Sequence, residues 1–212
     1  MFSLLIRVRN ATKNNLMKSI KISMATLFTF MTIFFCGCKK DEVEPSEVKL
    51  SDLILNGNAE TGSTIPNNWW NSTGQGKYNV TWTDEESFSP TKSLKISTQK
   101  TESSTFAHWA QTFNGNIPTG TSITLKVKIK GNLKGTGVSI AIRGDDATSV
   151  NGYAKQFATT QGTSPISGIF DWTDYSIKLN TIDPSIQSLT IYLIYLPDTT
   201  GNVYFDNVSL TY

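Results

Sequence analysis

The sequence predicts an all-β fold, a two-sheet β-sandwich of jelly-roll or Greek-key type. From Leu53 onward, short runs in which apolar and polar residues alternate are separated by clusters of Gly, Asn, Asp and Pro, which is the pattern of strands and turns. No segment keeps a helical apolar period for three turns. About nine strands over roughly 160 residues are typical of two packed sheets, because an open single sheet would leave one apolar face in water.

The clearest strand is predicted over residues 122–130. Four apolar residues there, Ile123, Leu125, Val127 and Ile129, alternate with polar ones and mark one face of the strand as buried. We detect no internal repeat, so all strands are expected to share one core. The other predicted strands are residues 78–82, 93–97, 106–113, 138–143, 175–179, 188–196 and 203–211.

The strand predicted at residues 188–196 is apolar on both faces. Leu189, Ile191 and Leu193 fall on one face, and Tyr192 and Ile194 fall on the other. One face must belong to the core. The sequence therefore predicts that the opposite face is covered by a loop or lies in a groove.

The N-terminal segment has the pattern of an export signal. Lys18 and Lys21 precede an apolar run over residues 22–35, as in a secretory signal peptide. The run is shorter than the ~20 residues of a transmembrane helix, so a permanent membrane span is the weaker interpretation. Met17 lies closer to the basic residues than Met1 and is the more natural start.

Residues 35–38, Phe-Cys-Gly-Cys, resemble the lipobox of bacterial lipoproteins. Only Cys38 has a small residue before it, so Cys38 is the predicted lipidation site, although Phe35 stands where the lipobox usually has Leu. The resemblance implies a signal peptide over residues 1–37 and a lipidated, flexible linker over 38–51. It places the protein at the bacterial outer membrane or cell surface, and no cysteine is left for a disulfide.

Charge is unevenly distributed between the signal and the rest of the chain. The whole chain has 19 basic and 17 acidic residues, but residues 1–37 contain five basic residues and no acidic one, which leaves 14 basic against 17 acidic residues. A nucleic-acid binder would concentrate basic residues on its folded domain. We therefore expect no nucleic-acid partner.

The ends of residues 52–212 carry a resemblance to a known family. The opening Leu55-Asn-Gly-Asn-Ala-Glu60, the later Trp69-Trp70 and the closing Val203-Tyr-Phe-Asp-Asn-Val-Ser-Leu210 resemble carbohydrate-binding modules related to families 4, 9 and 22. This resemblance implies a jelly roll of the galactose-binding-like fold. It implies that the domain binds a polysaccharide or oligosaccharide.

Asp206 occupies a strand position whose neighbours on the same face are largely apolar, so its carboxylate needs a partner. In the resembling modules a structural calcium ion joins the first and last strands. Carried over to this sequence, the resemblance implies calcium bound by Glu60 and Asp206, with carbonyl oxygens from Asn58 and Lys92, and oxygen ligands suit that ion. The alternative is that Asp206 accepts hydrogen bonds from backbone amides.

A sugar site needs exposed aromatic rings beside polar side chains. One of Trp69 and Trp70 is expected to pack into the end of the β-sandwich, and the other is expected to lie at the rim of a binding surface. Each of three candidates has an alternative role. Arg143 could instead form a salt bridge to Asp145 or Asp146, and Gln111 could be a buried side-chain amide with its hydrogen bonds satisfied. Trp109 is equally compatible with packing in the core. The predicted carbohydrate-binding residues are Trp109, Gln111, Arg143, Tyr153 and Phe157.

Catalysis is not predicted. His108 is the single histidine, which excludes sites built from several imidazoles, and the motifs of jelly-roll glucanases and of serine hydrolases are absent. We expect a monomeric, non-catalytic envelope lipoprotein that binds glycan, with neighbouring envelope proteins as further candidate partners. The alternatives are a structural or adhesive lipoprotein that binds a protein and, more remotely, a glycan hydrolase or lyase.

Overall fold

The computed structural model describes residues 51–101, 105–149, 152–164 and 166–212. The predicted signal peptide, Cys38 and nearly all of the predicted linker lie outside these residues. No helix long and apolar enough to cross a membrane occurs in the part of the chain that is described. All of its regular secondary structure is β-strand.

The described residues form nine strands. They are β1 (Trp70–Ser72), β2 (Asn79–Thr83), β3 (Ser93–Thr98), β4 (Ala107–Phe113), β5 (Ile123–Asp145), β6 (Gln156–Thr159), β7 (Ile166–Leu179), β8 (Ser188–Tyr195) and β9 (Thr199–Thr211).

The strands form two layers that share β5, and every pairing is antiparallel. The first sheet has the order β1-β4-β8-β5-β6, in which residues 138–145 of β5 pair with β8 and residues 141–144 with β6. The second sheet has the order β2-β3-β9-β5-β7 and uses residues 123–135 of β5 for most of its pairing. The fold is therefore the predicted all-β jelly-roll sandwich.

The bend in β5 lies between these two parts. Gly135 and Gly137 there have φ angles of 92° and 91°, a region that L-residues with a side chain rarely adopt. The buried Thr199 hydroxyl compensates for the interrupted ladder, since it accepts a hydrogen bond from the Gly137 amide at 2.7 Å and donates to the Gly137 carbonyl at 3.1 Å. The backbone can therefore turn without leaving its buried polar groups unpaired.

The core lies between the two layers. Ile123, Leu125 and Ile129 of β5 have no exposed surface, which confirms the alternation read from the sequence, and each such buried side chain stabilises the fold by about 1.5–3 kcal/mol. Leu189, Ile191 and Leu193 of β8 face the same core and are also buried.

Every predicted strand is present, but two expectations about boundaries were wrong. Residues 122–130 and 138–143 were expected to be separate strands and instead belong to the single strand β5. Glycines at 131, 135 and 137 favour a turn between two strands when only the sequence is considered. In the structure the strand continues through them, with irregular pairing to β7 near these positions. β7 begins nine residues earlier than expected, and the short strands β1 and β6 were missed because they carry too few residues for a clear alternation.

The bend gives a test of the shared strand. Gly135 and Gly168 have similar φ angles of 92° and 99°, but a Cβ on Gly135 would collide with the Asp198 carbonyl oxygen, whereas one on Gly168 would meet no atom within 4 Å. We expect Gly168→Ala to cost about 1–2 kcal/mol of backbone strain and Gly135→Ala to cost clearly more, measured by urea unfolding. If the two variants lose the same free energy of unfolding, the role assigned to Gly135 in the bend is contradicted.

Candidate functional site

A groove of about 340 Å³ lies on the outer face of the first sheet. The side chains that line it come from, or directly precede, all five strands of that sheet, so a single sheet face positions the whole site. They are Trp70, Ser72, Phe106, His108, Arg143, Phe157, Tyr192 and Ile194.

The alternation of β8 builds the centre of this groove. Tyr192 and Ile194 line the groove and do not belong to the buried core. Of the two alternatives predicted for this face of the strand, a covering loop or a groove, the structure has the groove at these two residues. Tyr192 is paired with Ala110 of β4 on one side and with Ala141 of β5 on the other. These small neighbours leave room above the sheet for the large rings.

The rings form a cluster around His108. Its ring centroid lies 5.1 Å from that of Trp70, 5.3 Å from that of Tyr192 and 5.8 Å from that of Phe106. The Trp70 and Tyr192 contacts are edge-to-face, an arrangement that stabilises aromatic pairs. The rings of Trp70, Phe106 and Phe157 remain exposed at the rim, with 40%, 50% and 53% of their surface accessible.

His108 is the unusual member of the cluster. It is only 8% exposed, and neither ring nitrogen has a hydrogen-bond partner among the described residues. Burial lowers the pKa of His108 below its ordinary value, because the charged form loses its hydration. The imidazole is therefore neutral near pH 7.

Arg143 supplies the charge at one end of the groove. Its Nε donates to both carboxylate oxygens of Asp145, at 3.0 and 2.8 Å, and its Nη1 donates to the Gly152 carbonyl at 3.1 Å. The hydrogen bond to Asp145 raises the pKa of Arg143 further. The salt bridge considered as the alternative role for Arg143 is thus present, and Arg143 also lines the groove.

Two of the predicted sugar-binding residues do not reach this groove, and this corrects the expectation from the sequence. Trp109 is 1% exposed and packs in the core, where its Nε1 donates to the Lys95 carbonyl at 3.2 Å. Gln111 is also buried, and its side-chain amide pairs with both the amide and the carbonyl of Leu55, at 2.8 and 2.9 Å. The register of β4 turns these residues inward and His108 outward.

The remaining candidates divide. Phe157 lines the groove together with Arg143. Tyr153 is 81% exposed and does not contribute to the lining, although the adjacent Gly152 carbonyl orients Arg143. Trp69 is buried and Trp70 is at the rim, as expected for that pair.

Phe106, His108 and Tyr192 were not among the predicted site residues. The two-sided apolar pattern of β8 was the signal for Tyr192. Residues 106–113 carry large side chains on both faces, so alternation alone does not indicate which face of this strand is open.

A larger hollow of about 440 Å³ lies on the outer face of the second sheet. Its Lys130 is bound to Glu86 at 3.0 Å and to Asp171 at 3.4 Å. The Tyr204 ring in this hollow is buried beneath the Lys95 ammonium group. The charged groups of this hollow are thus paired, its Tyr204 ring is covered and its second ring, Phe170, is only partly exposed. We therefore assign the site to the groove that has three exposed rings.

The predicted calcium ligands are both engaged in hydrogen bonds. The Asp206 carboxylate has no exposed surface and accepts bonds from the amides of Phe88, Ser89 and Asn207 and from the Ser89 hydroxyl, at 2.6–2.8 Å. Burial raises the pKa of Asp206, and these bonds offset part of the rise. Amide hydrogens directed at the carboxylate oxygens do not fit a cation at the same place.

Glu60 is held in a similar way. It accepts bonds from the Thr91 and Lys92 amides at 3.1 and 2.9 Å and from the Thr91 hydroxyl at 2.6 Å. Burial raises the pKa of Glu60, but these bonds outweigh it and lower the pKa below its ordinary value. No cluster of three or more metal-ligating side chains occurs in the described ranges. Asp206 thus accepts hydrogen bonds from backbone amides, which is the alternative to calcium considered from the sequence. Calcium binding by Glu60 and Asp206 stays a prediction.

No protein-family model matches the sequence, and no curated protein matches it. Solved structures share its fold. The enzymatically active domain of tailspike protein 4 of bacteriophage CBA120 is 17% identical over 75% of this chain and has a TM-score of 0.58, but this chain spans only 21% of that protein.

Two further structures are matched along nearly their whole length. A Stig cyclase from Fischerella sp. TAU is 18% identical over 76% of this chain and 97% of its own, with a TM-score of 0.55. A family 16 carbohydrate-binding module is 21% identical over 74% of this chain and 98% of its own, with a TM-score of 0.52. At identities of 17–21% the similarity to these three structures shows that this chain shares their fold.

The hydrogen bonds to Asp206 predict how this carboxylate stabilises the fold. We expect Asp206→Asn to lower the free energy of unfolding by about 2–4 kcal/mol, because its NH₂ group would face amide donors and leave buried groups unpaired. Asp174→Asn, which removes an exposed ion pair with Lys128, is the control and should cost under about 1 kcal/mol. The amide-bonded arrangement of Asp206 predicts that EDTA leaves the Tm of the unmodified chain unchanged, whereas calcium bound by Glu60 and Asp206 predicts that EDTA lowers the Tm. A Tm that falls with EDTA and recovers with Ca²⁺ would establish the metal site instead.

Proposed function

We propose that this chain is a non-catalytic carbohydrate-binding protein that holds a polysaccharide or oligosaccharide in the groove on its first sheet. The observation that carries this proposal is the half-exposed ring set of Trp70, Phe106 and Phe157 around a polar end at Arg143. The C–H faces of sugar rings pack on such aromatic surfaces, and their hydroxyl groups pair with the polar side chains. The shared fold with a carbohydrate-binding module supports the same conclusion.

The dimensions of the groove suit a short stretch of glycan. Its volume of about 340 Å³ lies near the lower end of the ~300–1,000 Å³ typical of small-molecule sites. Phe106, Phe157 and Ile194 also line a second hollow of about 240 Å³ next to it, with Gln161 and Leu196. The two hollows share three lining residues and so form one continuous surface, which gives a polymeric ligand more than one place of contact.

The chemistry of the groove favours binding without cleavage. Glycosidases use two carboxyl groups placed on either side of the scissile bond. The eight lining residues include no carboxylate, and Asp145, which contacts the lining residue Arg143, is held in a salt bridge. His108 is buried among rings, and neither of its ring nitrogens is bound to a carboxylate of the described residues.

A protein ligand is the second candidate. The exposed rings of Phe106 and Phe157 continue into Leu196 and Pro197 of the second hollow, and contiguous apolar surface of this kind also marks protein interaction sites. A surface lipoprotein that binds a protein partner would use this same apolar surface.

The envelope location rests on the sequence. A lipid on Cys38 would tether the domain to the bacterial outer membrane or cell surface through residues 39–51 and present the groove to glycans there. Membrane contact would then be made by the lipid and the glycan contact by the groove.

Trp70 tests the groove directly. We expect Trp70→Ala to weaken polysaccharide binding by about 30-fold, since a tryptophan that a ligand packs against commonly contributes about 2 kcal/mol to binding. The measurement is affinity gel electrophoresis of the purified chain in gels that contain xylan, glucan or galactan.

Phe88→Ala is the matched control for this variant. Phe88 is 48% exposed but contacts Trp172 and Lys128 of the second sheet, so its loss should leave retardation in the gels unchanged. If Trp70→Ala and Phe88→Ala migrate alike in every gel that retards the unmodified chain, the groove is not the site.

Lipidation has an independent test. In cells treated with globomycin, which blocks lipoprotein signal peptidase, we expect a precursor larger by the signal peptide to accumulate, and Cys38→Ser to give the same precursor without the drug. Radiolabelled palmitate should enter the unmodified chain only. A chain of unchanged size under globomycin would contradict the assignment of Cys38.

A further inference from the structure

The electrostatics of the groove are set by a residue outside its lining. Arg143 is the only lining side chain with a permanent charge. Asp145, two residues further along β5, binds it through Nε, and both side chains are three-quarters buried, with 23% of each exposed. At that depth solvent screens the two opposite charges only partly, so each charge offsets the other. The net charge that the pair presents to a ligand is therefore close to zero.

The same contact restricts how Arg143 can bind. A guanidinium recognises a carboxylate by donating two parallel bonds from one edge. Both oxygens of Asp145 are directed at Nε, and Nη1 donates to the Gly152 carbonyl. The edge that includes Nε is thus occupied and one Nη1 hydrogen is engaged, so the N–H donors that remain for a ligand are on the terminal nitrogens.

The other titratable groups at the groove add no positive charge. His108 from β4 is surrounded by rings and has no anion beside it that would favour its protonation. Tyr192 from β8 keeps its proton, because burial raises its pKa. β1 and β6 contribute Trp70, Ser72 and Phe157 to the lining, and none of these titrates.

We propose that Asp145 is a specificity-determining residue, which neutralises Arg143 so that the groove selects uncharged glycans and rejects those that carry carboxylates. This inference rests on the proposed function. In this arrangement Arg143 donates hydrogen bonds to hydroxyl groups of a neutral sugar. A uronic acid at the same place would meet the Asp145 carboxylate and would find one edge of Arg143 already taken.

The proposal predicts a gain of function. Asp145→Asn keeps the side-chain shape and removes its charge, so Arg143 becomes available to an acidic ligand. We expect retardation of the purified chain by polygalacturonate to strengthen by at least about tenfold, the effect of one charge-assisted hydrogen bond, and to weaken again as NaCl is added. Retardation by neutral xylan, glucan or galactan should change by less than about threefold.

Three further variants complete the experiment. Asp174→Asn removes an equivalent negative charge from the second sheet and should not alter the choice of polysaccharide. Arg143→Gln should not acquire polygalacturonate binding, and Arg143→Gln combined with Asp145→Asn should abolish the gain. Thermal melts of each variant separate loss of folding from loss of recognition, because a gain of binding cannot come from an unfolded chain.

The outcomes distinguish this inference from the function on which it rests. Retention of the unmodified chain by neutral polysaccharides, together with the gain in Asp145→Asn, supports both. If the unmodified chain binds polygalacturonate as well as neutral polysaccharides, or if Asp145→Asn leaves the preference unchanged, the role of Asp145 is overturned and glycan binding stands. If no polysaccharide retards any variant, the proposed function fails and this inference fails with it.

Discussion

The continuous pairing of β5 is the constraint on which the two layers depend. Its first part is bonded to β7 and β9, and its second part to β8 and β6. A buried backbone amide or carbonyl without a partner is costly, so the strand can pass from one sheet to the other only if the bend keeps its polar groups bonded. Gly135 and Gly137 make the required backbone angles accessible, and the Thr199 hydroxyl satisfies both polar groups of Gly137. The relative placement of the two sheets is thereby a consequence of one strand.

This frame also decides which side chains form the groove. β8 lies in the middle of the first sheet, between β4 and the second part of β5, and its register puts Tyr192 beside Ala110 and Ala141. The sheet below is rigid because its core face is close-packed with Ile and Leu side chains. The rings above it pack on one another at fixed angles. A ligand therefore meets a surface that is formed before binding, which reduces the entropy lost on association.

Much of the fold could be predicted from the sequence, and less of the site. Alternation in β5 and β8 revealed the strands and even the second apolar face of β8, because period-2 patterns depend on local residue order. The face of β4 could not be predicted in this way. Ala107–Phe113 has large groups on both sides, so only its pairing with β8 places Trp109 in the core and His108 in the groove. The sequence leaves Asp145 and Asp146 open as partners in the alternative salt bridge of Arg143, and the structure selects Asp145, which lies on the same face of β5 as Arg143.

The carboxylates Asp206, Glu60 and Asp145 are held by structural contacts, which supports the proposal that the groove binds a glycan without cleaving it. A catalytic carboxyl group must be free to exchange a proton and must contact the ligand. Asp206 and Glu60 instead hold residues 88–92 through amide and hydroxyl donors, and Asp145 holds Arg143. These three carboxylates therefore have structural partners, and none of them is among the lining residues. The groove offers a ligand ring surface, an uncharged imidazole and the N–H donors of Arg143, and under the proposed function these groups pack on the C–H faces of a sugar and pair with its hydroxyls.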